Sequence, residues 1–498
     1  MFLWPEIIYM NKIINRVKNI KNIEYLFLSL ILILGFVVRL YKINSPLADW
    51  HSWRQADTAS VTRTYLQRGL NILYPKYHDI SSIQTGYFNP QGYRFVELPI
   101  YNVIHLFLYK AHPKLTLEVW GRLLSVFSAL VSSFFLFLIG RKFTGKWGGL
   151  LAAFFFCVIP YNIYFTRVIL PEPLGQTFAL ISLWLIIKYI DTEKDSLLYF
   201  SGFFLALSLL IKPFTYFYVF PAIYLISKKY GMKNILNTPK LLIKFLIYSD
   251  LLLVPLFLWR GWIGKHPEGI PFFTWAFNGD HIRFRPAFWR WIFGERIGRL
   301  ILGTWGLIPF ILGAVFKKKN YFNLVFMAGA LSYLFVVATA SVRHDYYQIF
   351  IIPPVSLLLA EGSLYLWNQA VFNKWLSRSI LVFSILMMIG MGAYQVKEYY
   401  KINHPEIIAA GQAVDKLTPK DALVIAPYNG DTAFLYQTGR WGWPAVDDSF
   451  ENIIKKGASY YVSVDLGSPD TKYVTAKYKT IAKTDQYIIV DLHESIKQ

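Results

Sequence analysis

Long apolar segments recur along most of this chain, from Tyr25 to about Lys397. Each approaches the roughly 20 residues that a helix needs to cross the hydrocarbon core of a bilayer. The composition agrees, since 55% of the residues are hydrophobic, only 16% are charged and the mean hydropathy is +0.37. This pattern predicts an α-helical integral membrane protein and excludes an ordinary soluble domain.

The basic clusters predict the orientation, because cytoplasmic loops retain an excess of Lys and Arg. Placing every cluster inside gives about eleven spans, a cytoplasmic N-terminus (1–24) and an extracytoplasmic C-terminus. The clusters are Lys12, Arg16, Lys18 and Lys21; Arg141, Lys142 and Lys146; Lys188 and Lys194; Lys228, Lys229, Lys233, Lys240 and Lys244; Lys317 to Lys319; and Lys374 and Arg378. The predicted spans lie near 25–43, 119–140, 148–166, 173–190, 196–211, 214–227, 241–259, 297–316, 322–340, 346–367 and 379–396.

Two long external loops, at about 44–118 and 260–296, separate these spans. Within the first loop, the short apolar segment 99–113 predicts an interfacial helix rather than a span. From about residue 401 onward, short strand-like stretches (ALVIAP, SYYVSV, QYIIVDL) follow a helical pattern. We therefore expect residues 401–498 to form a small extracytoplasmic α/β domain.

The formal net charge is +21, but Lys and Arg punctuate the apolar spans instead of forming a stripe on a soluble domain. Membrane lipid, not nucleic acid, is the partner this pattern indicates. The single cysteine, Cys157, excludes a disulfide within the chain. There is no Walker loop, HExxH helix, GxSxG elbow or DxD spacing, so the minimal parts of nucleotide or metalloprotease chemistry are missing.

Three carboxylates, Asp57, Glu97 and Glu172, fall on the predicted external face beside apolar segments. Acids at a membrane edge are costly enough to be functional hypotheses by default. Each has a simpler alternative when taken alone. Asp57 could cap a helix, Glu97 could pair with Arg94, and Glu172 could be solvated. Together, the three favour a catalytic group.

Basic residues on the same face form the complementary set, and Arg suits phosphate because its planar fork donates paired hydrogen bonds. The alternative for each is a side chain that reaches bulk lipid headgroups. The candidates for binding a donor phosphate are Arg54, Arg122, Lys212, Arg283, Arg285, Arg343 and His344.

Four motifs in this order resemble the polytopic membrane glycosyltransferases of the GT-C fold, particularly the bacterial branch of lipid A aminoarabinose transferases and protein mannosyltransferase-like enzymes. The motifs are WRQADTASVTRTYLQRG, ELPIYN, the hydrophobic segment from WGRLL to ILPEP, and RHDYYQIFIIPP. The resemblance covers about residues 25 to 397 and implies a transmembrane catalytic domain over 25–400. It also implies transfer of a sugar from a polyprenyl-phosphate carrier to a lipid, glycan or protein acceptor outside the plasma (inner) membrane.

The same resemblance implies roles for the three acids. Asp57 matches the catalytic base of the first external loop, and Glu172 matches an acid after the third span. Glu97 matches a loop acid that helps hold a divalent metal together with a later histidine, which is similar to His281. Leu98 stands where the aminoarabinose branch has a basic residue, so donor phosphate contacts are expected from Arg54, Arg283 or Arg343.

Two other classes of membrane protein are also compatible with the sequence. A transporter or lipid flippase also needs many spans and intramembrane charges, although the chain has no evident repeat symmetry. A ligase or polymerase acting on a lipid-linked glycan would need the same external face and basic groups.

Overall fold

A computed structural model describes residues 23–316, 320–369 and 373–496. Its membrane part is almost entirely helical, with the helices α1 Ile23–Arg39, α2 Ser52–Arg68, α3 Ile100–Ala111, α4 Leu117–Val158, α5 Pro160–Phe165, α6 Glu172–Thr192, α7 Asp195–Ile211, α8 Val219–Tyr230, α9 Met232–Asn237, α10 Pro239–Ile263, α11 Trp275–Asn278, α12 Pro286–Trp289, α13 Leu307–Val315, α14 Phe322–Val336, α15 Ala338–Arg343, α16 Ile352–Asn368 and α17 Lys374–Val396. Short 3-10 helices cover Pro213–Tyr218, Pro267–Gly269, Asp345–Ile351 and Lys397–Tyr400, and a π-helix covers Arg290–Ile301.

Several helices are long and apolar enough to cross a membrane. In the described chain these are Leu117–Val158, Glu172–Thr192, Pro239–Ile263, Asp345–Asn368 and Lys374–Tyr400. Helices α7 and α14 are apolar but shorter. The protein is therefore a multi-span membrane protein, while the number of eleven crossings stays a prediction.

Helix α4 covers the predicted span 119–140 and the first part of the predicted span 148–166, and it is a hairpin rather than one rod. A straight helix of 42 residues would be about 63 Å long, roughly twice the hydrocarbon thickness. Gly145 has left-handed backbone geometry with φ 79° and interrupts the helix. The two halves lie side by side. Between them, the Ser133 hydroxyl donates to the Ala153 carbonyl at 3.4 Å, and the Cys157 thiol donates to the Ser133 hydroxyl at 3.3 Å.

Several of the predicted cytoplasmic clusters meet at one end of the helices. Their ion pairs are Arg141–Glu24 at 2.8 Å, Lys142–Asp191 at 2.7 Å, Lys229–Glu193 at 2.6 Å and Lys244–Asp195 at 2.6 Å. The clusters at 12–21 and 317–319 lie outside the described residues. This grouping agrees with a single basic face, as the charge pattern predicted.

The segment 99–113 forms the short helix α3, which packs onto the first loop. The Asn102 amide donates to the Thr58 carbonyl at 2.7 Å, and the Tyr101 hydroxyl donates to the Gly121 carbonyl at 2.6 Å. These contacts tie α3 to α2 and to the start of α4. With 12 residues it is about 18 Å long and too short to cross the core.

The C-terminal segment is an α/β unit around one sheet, as predicted. Its helices are α18 Glu406–Leu417, α19 Thr432–Thr438, α20 Phe450–Lys455 and α21 Pro469–Lys477, and its strands are β1 Leu423–Ile425, β2 Trp441–Trp443, β3 Ala458–Ser463, β4 Tyr478–Lys483 and β5 Ile488–Ser495. The strand order is β2-β1-β3-β5-β4. Strand β1 runs parallel to β2 and β3, whereas β5 is antiparallel to β3 and β4.

The C-terminal unit is bonded directly to the first external loop. The Ile80 amide donates to the Gly442 carbonyl at 3.0 Å, and the Gly442 amide donates to the His78 carbonyl at 2.9 Å. Asp447 accepts from the Ser82 amide and hydroxyl at 2.7 Å each. These bonds place the first loop and the C-terminal unit on the same side of the membrane part.

Candidate functional site

Arg54, near the start of α2, lies at the centre of a buried charge cluster. Its guanidinium donates to Glu97 at 3.0 and 3.1 Å and lies 3.7 Å from Glu172. Lys212 lies 3.0 Å from the same Glu172 oxygen. All four side chains are buried, and a buried charge persists only where it is paired.

The local sequence positions these groups at element ends. Glu172 opens α6 between Pro171 and Pro173, and Lys212 follows the last residue of α7. Burial alone would lower the pKa of Arg54, but the charges of Glu97 and Glu172 outweigh it and raise that pKa. Arg54 therefore stays cationic and joins the first loop to the membrane helices.

Asp57 lies one turn further along α2 and is completely buried. Arg94 donates to its Oδ2 at 2.6 Å, and the Thr432 hydroxyl of the C-terminal unit donates to its Oδ1 at 2.6 Å. Both carboxylate oxygens are thus hydrogen-bonded, one from each side of the loop. The charge of Asp57 also helps to raise the pKa of Arg54, so all three predicted acids act on that guanidinium.

The structure excludes a helix-capping role for Asp57 and an ion pair between Glu97 and Arg94. Helix α2 begins at Ser52, so Asp57 lies in its second turn and does not cap it. Arg94 pairs with Asp57, and the ion-pair partner of Glu97 is Arg54. The sequence suggested Arg94 as the partner of Glu97 because the two residues are close in the chain. In the folded protein, the first loop places Arg94 against α2 and therefore beside Asp57.

A cavity of about 660 Å³ opens beside this cluster. Its walls are mostly apolar and aromatic, with Trp53, Phe272 and Trp275 among the lining residues. The charged side chains that line it are all cationic, namely Arg54, Arg94, Lys212 and Arg260. Apolar walls with several cations suit an amphipathic anion.

Two of these cations, Arg54 and Lys212, were predicted from the sequence as phosphate ligands, and two were not. Arg260 ends the apolar run of α10 in the motif WRGW, which is the signal that could have indicated it. In the described part of the chain, no carboxylate lies within ion-pair distance of Arg260. Its charge is therefore open to a ligand.

The other predicted phosphate ligands lie outside the lining of this cavity. Arg122 donates to the carbonyls of Ile43 and Ser45, and Arg283 donates to the Phe335 carbonyl at 2.7 Å. Arg343 is paired with Asp280 at 2.6 Å, and Arg285 is exposed. His344 lies beside the rings of Trp53 and Trp275.

His344 is a poor cation in this environment. Burial lowers its pKa to about 4, and the neighbouring His51 acts in the same direction. It is therefore neutral at physiological pH and can contribute a hydrogen bond but no charge to a phosphate.

The predicted metal pair does not form a ligand set. Glu97 is engaged by Arg54, and His281 is exposed on a left-handed residue with φ 52°. Over residues 23–316, 320–369 and 373–496, no group of three or more His, Cys, Asp or Glu side chains could hold a metal ion. The residues present do not fit a divalent metal at this position.

A second, smaller cavity of about 240 Å³ lies between the membrane part and the C-terminal unit. Trp53 lines both cavities. Asp57 lines neither cavity itself, but its hydrogen-bond partners connect it with both, because Arg94 lines the large cavity and Thr432 follows Asp431, which lines the small one. Thr432 could not be predicted, since it contacts Asp57 across 375 positions of sequence.

Residues 115–259 match the family model described as dolichyl-phosphate-mannose-protein mannosyltransferase. The structure is similar to that of ArnT from Cupriavidus metallidurans bound to undecaprenyl phosphate, with a TM-score of 0.59, 13% identity, and coverage of 94% of this chain and 97% of that chain. The chain has the GT-C fold.

Two further structures share this GT-C fold. The oligosaccharyltransferase of Archaeoglobus fulgidus in its apo form has a TM-score of 0.57 and 10% identity, covering 92% of this chain and 73% of that one. The mycobacterial arabinofuranosyltransferase AftD has a TM-score of 0.51 and 13% identity, covering 93% of this chain and 41% of that one. No curated protein sequence matches the chain.

Removing the central cation should destabilise the protein. In Arg54→Met the carboxylates of Glu97 and Glu172 lose a buried partner, which typically costs about 3–5 kcal/mol. We expect a clearly lower melting temperature in detergent. The matched control Arg343→Met removes an exposed pair with Asp280, and exposed pairs contribute little. Equal melting temperatures for the two variants would contradict a structural role for Arg54.

Proposed function

We propose that the protein is a membrane glycosyltransferase that moves a sugar from a polyprenyl-phosphate carrier to an acceptor hydroxyl. The observation that carries the proposal is the large aromatic cavity with four cations beside Asp57. A polyprenyl phosphate has an apolar chain, which would pack against the aromatic walls of this cavity, and an anionic head, which its cations would bind. The likeness to a structure bound to undecaprenyl phosphate supports the same donor class.

Lys212 and Arg260 are the proposed phosphate ligands. Lys212 supplies a flexible point charge and Arg260 a planar fork, and both line the large cavity. As the bond between the sugar C1 and the carrier phosphate oxygen breaks, negative charge grows on that oxygen. Cations held in a dry site stabilise this charge most strongly.

Asp57 is the proposed general base. It would accept the proton of the acceptor hydroxyl while the hydroxyl oxygen forms a bond to C1 and the carrier phosphate leaves, so one displacement inverts C1. The Thr432 hydroxyl already donates to Asp57 at 2.6 Å, as an acceptor hydroxyl would. Arg94 donates to the other carboxylate oxygen at 2.6 Å and so fixes the orientation of the carboxylate.

Glu97 and Glu172 act as positioning residues in this proposal. Each forms an ion pair with a cation that lines the large cavity. Glu97 pairs with Arg54, and Glu172 pairs with Lys212. They fix these cations and offset part of their charge before the donor arrives.

We also infer that this site faces the outside of the plasma (inner) membrane, with the N-terminus in the cytoplasm and the C-terminal unit outside. The basic turns with Arg141, Lys142 and Lys229 lie at the opposite end of the helices from Asp57 in this arrangement. Lys- and Arg-rich turns favour the cytoplasmic side.

Replacing the base should abolish transfer, and because it also removes the charge that pairs with the buried Arg94, the folding of the variant is checked alongside. We expect Asp57→Asn to lower the rate of carrier release from a polyprenyl-phosphate sugar by about 100-fold to 10,000-fold, the usual contribution of a general base. Asparagine can still accept from Thr432, and size-exclusion chromatography would check folding. The control Glu118→Gln alters an acid paired with Arg63 outside both cavities, and its rate should stay normal. Normal turnover in Asp57→Asn would exclude Asp57 as the base.

Arg260 should contribute to donor binding. Arg260→Met keeps an apolar stem but removes a charge-assisted bond, typically worth about 1.5–3 kcal/mol, so we expect at least tenfold weaker binding of undecaprenyl phosphate. Microscale thermophoresis in detergent would measure this dissociation constant. The control Arg285→Met removes an exposed cation outside the cavity, and its affinity should match the wild type. Equal weakening in both variants would indicate a diffuse electrostatic effect.

A further inference from the structure

The small cavity has a separate chemistry from the large one. It is lined by residues 48–53 of the first loop, by the segment after α17 and by Tyr428 and Asp431 of the C-terminal unit. Its volume of about 240 Å³ is below the range of about 300–1,000 Å³ that holds drug-sized ligands. It therefore suits a group about the size of one sugar ring.

The charges of this cavity oppose an anionic ligand. Asp49 is paired with Arg167 at 2.9 Å, and Lys401 is paired with Glu398 at 2.6 Å. Asp431 has no cation within ion-pair distance among the described residues, and burial raises its pKa to about 6. Above that pH the cavity holds one uncompensated negative charge, which would repel a phosphate headgroup.

The remaining lining combines aromatic planes with hydrogen-bonding side chains. Trp50, Trp53 and Tyr428 offer ring surfaces, and Asn403 offers an amide. His51 is held by Asp345 at 2.7 Å through Nε2, which leaves its Nδ1 to bond a ligand. Amphipathic rings next to polar groups match a sugar, whose C–H faces are apolar and whose rim carries hydroxyls.

A peptide is a poorer fit to the same place. An extended peptide usually docks by adding a strand to a free sheet edge. The edge strand β2 is already covered by the first loop, through the bonds of Gly442 to His78 and Ile80. The other edge strand, β4, does not line the cavity.

We propose that the small cavity is the acceptor site and that it takes a neutral carbohydrate. The inference rests on the proposed transferase function and deepens it by naming the acceptor class. Asp431 and His51 would bond the hydroxyls of the acceptor ring. One hydroxyl would replace Thr432 at Asp57, since Thr432 adjoins Asp431 and bonds the base.

Thiol protection tests occupancy of the cavity without relying on turnover. The only native cysteine, Cys157, is buried, so it gives little background. Asn403→Cys places a thiol in the cavity lining, and Lys455→Cys places an exposed control thiol on α20. Each variant would be labelled with maleimide in the presence of methyl glycosides of common hexoses and pentoses, of phosphatidylglycerol vesicles or of a serine-containing peptide.

We expect at least one methyl glycoside to slow labelling of Asn403→Cys by about tenfold at ten times its dissociation constant, with no change at Lys455→Cys. Adding Asp431→Asn, which keeps an N-cap side chain for α19, should weaken that protection. Protection by vesicles or peptide instead of any glycoside would overturn the proposal, as would no protection at all.

Binding of undecaprenyl phosphate, measured on the same preparation, separates failure of the acceptor inference from failure of the transferase proposal. Binding without glycoside protection refutes only the acceptor inference, whereas absent binding refutes the transferase proposal.

Discussion

The buried ion pairs of Arg54 determine how the rest of the site is assembled. This guanidinium connects Glu97 of the first loop with Glu172 at the start of α6, and Glu172 in turn holds Lys212 after α7. Taking so many charges out of water is unfavourable unless each has a partner. The cluster therefore couples the position of the loop to the membrane helices and sets where the cations of the large cavity lie.

The hydrogen-bond partners of Asp57 connect it with two cavities of opposite character. One side of its carboxylate meets Arg94 and the cationic, aromatic cavity, whereas the other meets Thr432 and the cavity next to Asp431. In the proposed mechanism, Asp57 would meet the donor from the side of Arg94 and the acceptor from the side of Thr432. The C-terminal unit would contribute to the proposed acceptor site, because Tyr428 and Asp431 line the small cavity.

Periodicity and charge predicted the apolar membrane helices, a basic turn between the spans 119–140 and 148–166, and the α/β unit, because these depend on local patterns. The grouping of Asp57, Glu97 and Glu172 also followed from the predicted topology. The ion-pair partners did not, since Arg94 and Thr432 reach Asp57 only through the folded loop and the C-terminal unit. Of the residues predicted to bind a donor phosphate, Arg54 and Lys212 line the large cavity, whereas Arg122 and Arg283 bond backbone carbonyls instead.

Release of free carrier from a panel of undecaprenyl-phosphate monosaccharides, in membranes that contain the protein, would show whether the protein is a transferase with Asp57 as its base. We expect at least one donor to yield free undecaprenyl phosphate in wild-type membranes, and we expect Asp57→Asn membranes to release none above background. Consumption of only a diphosphate-linked oligosaccharide, or equal release by both membranes, would contradict this expectation.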